Sequence, residues 1–100
     1  MRVHTESVHF RADQKLLAHL DEKLQKLDHF FDRIVDAKVI LKLENAGQVK
    51  DKIVEIQLNV PRGRLFHKES AKTFENSIDA AVKALSRQLK KYKDQRRRAA

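Results

Sequence analysis

One hundred residues with no cysteine make one domain around a single modest core, and they exclude a disulfide framework and any cysteine-based zinc or redox site. No run of about 18 apolar residues occurs, and the opening MRVHTESVHF holds no signal-peptide hydrophobic region, so a cytoplasmic protein is expected. A hydrophobic fraction of 41% set in regular patterns argues for a folded chain, and a net charge of +8 asks for a polyanionic partner.

Val3 to His9 reads as a strand whose pattern changes phase, with Val3 and Thr5 on odd positions and Val8 and Phe10 on even ones. A bulge or an early end near Ser7 reconciles the two. A helix opens at Ala12-Asp13 with Asp13 as its N-cap, and Leu17, Leu20, Leu24, Leu27 and Phe31 form its apolar stripe. Its outer side carries Lys15, His19, Glu22 and Lys26, with Lys23 on the flank, and is mixed in sign.

Asp36 to Glu44 alternates as a half-buried strand with Ala37, Val39, Leu41 and Leu43 inward. Asn45-Ala46-Gly47-Gln48 supplies a turn, and Ile53 to Val60 alternates again with Val54, Ile56, Leu58 and Val60 inward. Pro61-Arg62-Gly63 reads as a second turn in which Gly63 takes the positive φ, and Arg64 to Ser70 returns as a fourth strand.

Lys72 to Arg98 is the long last helix. Phe74, Ile78, Ala81, Val82, Leu85, Leu89 and Tyr92 recur at helical spacing and form one face, which has to be buried. Lys83, Arg87 and Lys90 project from the other side, with Lys91 beside them. From Lys83 to Ala100 there are eight Lys or Arg against one acid, a net of +7 out of the chain's +8. Cations near a helix C-terminus complement the macrodipole, but this number exceeds what capping can use and adds self-repulsion.

The order β-α-β-β-β-α gives an α+β, two-layer fold: a four-stranded sheet with both helices on one face, the first strand parallel to the second through a right-handed crossover. Residues 1–95 form the domain, and residues 96–100 a short basic tail.

Chemistry built by this chain alone is not expected. His4 and His9 fall on opposite faces of a strand, His19 and His29 are off one helical face, and none has metal-ligand spacing. The acids around the first helix read as caps and ion-pair partners, and no nucleophile elbow occurs. Single glycines at Gly47 and Gly63 build no phosphate-cradling loop. Hence no metal, cofactor or small-molecule substrate is expected. An acidic protein surface and a membrane are weaker partners than nucleic acid, the membrane because the apolar stripe of the last helix is needed by the sheet and is not free to insert. Without a helix-turn-helix or an aromatic-rich sheet, cationic helices on a small sheet suit phosphate and shape recognition of folded RNA.

The segments SVHFRAD, KLQKLDHFFDRIVDAKVILKL, VEIQLNVPRGRLF and SIDAAVKALSRQLKKYK, above all Ser86 to Lys93, closely resemble the ribosome hibernation-promoting factors. That family also takes in the ribosome-associated inhibitor and carries the older label of sigma-54 modulation protein. The resemblance implies a fold similar to double-stranded-RNA-binding domains, and binding in the channel of the small ribosomal subunit that tRNA and mRNA use. Helix cations there grip rRNA phosphates, blocking initiation during starvation or stationary phase. By position, it implies rRNA contacts from Lys23, Lys26, Lys83, Arg87, Lys90, Lys91 and Lys93, with Arg62, Arg64, Arg96 and Arg97 as weaker ones. Long members append a second domain that pairs two ribosomes. This chain resembles the short form, for which pairing would need a separate factor. The older label supports an alternative, a regulator of a sigma factor or RNA polymerase.

Overall fold

A computed structural model describes residues 1–46 and 49–99, with side chains described for residues 1–45 and 51–95. The elements in chain order are β1 (Arg2–Val8), α1 (Gln14–Phe30), β2 (Asp36–Ala46), β3 (Val49–Val60), β4 (Gly63–Ala71) and α2 (Phe74–Ala99). The strands form one sheet in the order β1-β2-β3-β4. β1 and β2 are parallel, as the intervening helix requires, and the two other pairs are antiparallel. The expected two-layer α+β architecture is the one observed.

β1 stays in register with β2 through Val8, so the change of phase is an early end and not a bulge. His9 takes a φ of 67°, which breaks the strand and turns Phe10 toward the start of α2, where it stacks on Phe74 at 4.4 Å between ring centroids. Asp13 caps α1 as expected, its carboxylate accepting from the Leu16 N–H at 2.8 Å. The stripe of α1 begins one residue earlier than its spacing suggested: Leu16 is buried, whereas Leu17 is 39% exposed.

The hairpin between β2 and β3 is longer than the sequence implied, with pairing as far as Ala46 and Val49. Asn45 and Ala46 therefore belong to β2, and the remaining turn residues, Gly47 and Gln48, lie outside the described residues. At the next turn Val60 pairs with Gly63, leaving Pro61 and Arg62 as the two central residues. The positive φ expected at Gly63 belongs to Arg62, at 64°. Pro followed by a left-handed residue is the type II arrangement.

The core lies between the helices and one sheet face. Val39 and Leu41 of β2 meet Val54, Ile56 and Leu58 of β3, and above them pack Leu20, Leu24 and Leu27 of α1 and Ile78, Leu85 and Leu89 of α2. Thr73 caps α2 by accepting from the Asn76 N–H. Ser77, fully buried, donates its hydroxyl to the Lys52 carbonyl of β3. At the other end Tyr92 donates its hydroxyl to the Pro61 carbonyl, and its ring meets Phe31 edge-on at 5.7 Å. α2 is thus tied down near both ends of its apolar face.

Candidate nucleic-acid interface

Burying one stripe of each helix against the sheet fixes where the cations go. On α1, Lys23, Lys26 and Phe30 lie on the flank turned toward α2. On α2, Val82, Lys83, Ser86, Lys90 and Lys93 lie on the flank turned toward α1. The groove between the helices holds two concavities. The first, of about 320 Å³, is lined by Lys23, Lys26, Leu27, Phe30, Asp79, Val82, Lys83 and Ser86. The second, of about 300 Å³, is lined by Phe30, Lys90, Lys93 and Asp94. Five ammonium groups thus face a groove in which two carboxylates, Asp79 and Asp94, stand against them.

The cations differ in their freedom. Lys23 Nζ is 3.8 Å from Asp79 Oδ1, an oxygen that His19 Nε2 also approaches at 2.7 Å. Lys26 Nζ lies 3.7 Å from Glu22 Oε1. Both residues of that pair are 66% exposed, so it contributes only about 0.3 to 0.5 kcal/mol and yields readily to a better anion. Lys93 reaches back over α1, its ammonium 5.1 Å from the Phe30 ring centre and 5.8 Å from that of Phe31. Lys83, Arg87, Lys90 and Lys91 are exposed, and among the described residues none has a carboxylate within ion-pair distance.

The seven positions singled out in the sequence are therefore not one cluster. Lys23, Lys26 and Lys83 meet in the first concavity, Lys90 and Lys93 in the second, and Arg87 and Lys91 stand outside both on the outer surface of α2. Arg62 sits in the turn beneath Tyr92. Arg64 is in register with Asn59, whose side chain reaches Asp36, so it belongs to the sheet face away from the helices. The side chains of Arg96 and Arg97 lie outside the described residues.

That open face has a different character. Among the described residues, five cations (Arg2, Lys38, Lys42, Arg64 and Lys68) and five acids (Glu6, Asp36, Glu44, Asp51 and Glu55) are in register across it. Among the described residues its charges balance, whereas the helical side presents an excess of positive charge to a polyanion.

Two features of the groove were not read from the sequence. Nothing in the sequence sets Asp79 apart from other acids on a helix, and its position opposite Lys23 depends on how the helices pack. Phe30 lies next to Phe31 but off the apolar stripe, and that offset was the available signal. No three His, Asp or Glu converge as a metal site among the described residues. No helix among the described residues is long and apolar enough to cross a membrane.

Comparison with known proteins bears on the family and fold of the whole chain. A ribosome hibernation promoting factor of Pseudomonas putida is 33% identical over 94 residues, covering 94% of this chain and 88% of its own length. The ribosome hibernation promotion factor of Deinococcus radiodurans is 38% identical over 76 residues, 75% of this chain but 40% of its own. Among solved structures, a ribosomal subunit interface protein from Coxiella burnetii superposes with a TM-score of 0.83 at 19% identity, over 94% of this chain and 99% of that one, and shares the fold. The N-terminal domain of Thermus thermophilus Protein Y superposes with a TM-score of 0.78 at 28% identity, over 92% and 99%. The profile of the family described as sigma 54 modulation protein / S30EA ribosomal protein matches residues 3–97, and with these relatives the chain belongs to that family, the family of the ribosome hibernation promoting factors.

Proposed function

We propose that this chain is a non-enzymatic ribosome hibernation factor, a cytoplasmic, ribosome-associated inhibitor of translation that acts in stress or stationary phase. In this reading it occupies the tRNA and mRNA channel of the small subunit and holds rRNA phosphates with Lys23, Lys26, Lys83, Arg87, Lys90, Lys91 and Lys93. Residues 1–95 serve as the ribosome-binding domain, and residues 96–100 as a basic extension carrying Arg96 and Arg97. Arg62 and Arg64 contribute less, because one lies at a turn and the other on the far face.

One observation carries the proposal: cations from both helices face a single groove while the opposite surface is balanced in charge. A rigid body with one cationic side can neutralise phosphates without reading bases, and inhibition then requires only that it fill the space. Replacing Lys83, Arg87, Lys90 and Lys91 together by Glu should abolish cosedimentation with small subunits while leaving the circular dichroism spectrum unchanged. Retained cosedimentation refutes the proposal. Capture of polymerase subunits without rRNA from a stationary-phase lysate would transfer the function to sigma-factor or polymerase regulation.

A further inference from the structure

Phe30 divides the two concavities of the groove and lines both. It is 48% exposed although the adjacent Phe31 is buried at 5%, so the core does not need it. Exposed aromatic rings are common singly and require no account. This one is set apart by its surroundings, because Lys23, Lys26 and Lys83 stand on one side and Lys90 and Lys93 on the other, with the Lys93 ammonium 5.1 Å from the ring centre.

We propose that Phe30 is a stacking platform for one unpaired RNA base, held while the flanking lysines take the phosphates on either side of it. The inference rests on the proposed binding of rRNA and adds a nucleobase contact to what is otherwise a phosphate-binding surface. A ring between two rows of ammonium groups repeats the design of single-strand binding sites, where a cationic track follows the backbone and aromatic faces accept bases. Stacking tolerates any base, since each has a π-face, so the contact selects an unpaired nucleotide and not a sequence. Lys93 lies over one face of the ring, so the base takes the opposite face, while the cation–π contact holds the Phe30 side chain in place and keeps a positive charge near the stacked base.

Phe66 is an internal control. It is exposed to a similar degree, 51%, but lies on the charge-balanced sheet face, in register with Gln57. The test measures binding of Phe30→Ala, Phe30→Tyr and Phe66→Ala to purified small subunits across a salt series. The expected result is a loss of roughly 5- to 100-fold for Phe30→Ala, near-native affinity for Phe30→Tyr, and no change for Phe66→Ala. The slope of log affinity against log salt should be unchanged in Phe30→Ala, because no phosphate contact has been removed. Native affinity of Phe30→Ala, alongside lost binding of the four-site Glu variant, overturns the stacking role and leaves the ribosome reading standing. A shallower salt slope in Phe30→Ala also overturns it, since the ring would then act only by placing Lys93. Retained binding by the four-site Glu variant removes the reading on which the inference rests.

Discussion

Arg62 is an L-residue in the left-handed region with a φ of 64°, next to a glycine that does not use its own freedom. A side chain in that conformation costs roughly 1 to 2 kcal/mol, and Asn bears it more easily than Arg. Arg62→Asn should therefore stabilise the protein by up to about 1 kcal/mol, seen as a Tm raised by a few degrees. Ser77 is the converse case, a buried hydroxyl that satisfies the Lys52 carbonyl. Ser77→Ala removes that hydrogen bond from a fully buried site and should cost about 0.5 to 1.5 kcal/mol in urea unfolding. Neither residue's role was legible beforehand. The Pro-Arg-Gly triplet announces a turn, but which residue turns left-handed depends on the strand register, and Val60 pairing with Gly63 puts Arg62 in that position. Similarly, Leu16 and Leu17 both fit the stripe of α1 by spacing, and only the packing of the helix buries the first.

At the level of elements, α2 buries one face and presents the other. Its 26 residues span about 39 Å, long enough to carry both concavities and the outer pair Arg87 and Lys91 on one rigid rod. Leu85 anchors its middle and is fully buried, so Leu85→Ala should cost about 2 to 5 kcal/mol, with binding lost only through unfolding. Asp79 on the same helix works against the groove's charge by holding Lys23 and His19. Asp79→Asn should bind small subunits more tightly and with a steeper salt dependence, because Lys23 is released to a phosphate. Both helices and the two central strands were legible from periodicity, since the 3.6-residue and 2-residue patterns survive in the core residues that packing selects, whereas β1, whose pattern changes phase, and β4, read from the turn before it, place no fully buried residue in that core. Less legible was the groove. Its flanks are polar positions whose neighbours come from another element, and no one-dimensional pattern pairs Asp79 with Lys23 or sets Lys93 over Phe30.

The whole molecule has one cationic side and one balanced side. If about six phosphates are neutralised, log affinity should fall against log salt with a slope of roughly −4 to −5, measured by sedimentation or filter binding at several potassium concentrations. An uneven charge distribution of this kind also acts before contact. Net positive charge alone draws a protein toward RNA in any orientation, whereas charge gathered on one surface exerts a torque that turns this surface forward. Because the sheet's ten charges cancel, the molecule should arrive groove-first, and moving the same cations from the helices to the sheet would slow its capture even with the total unchanged.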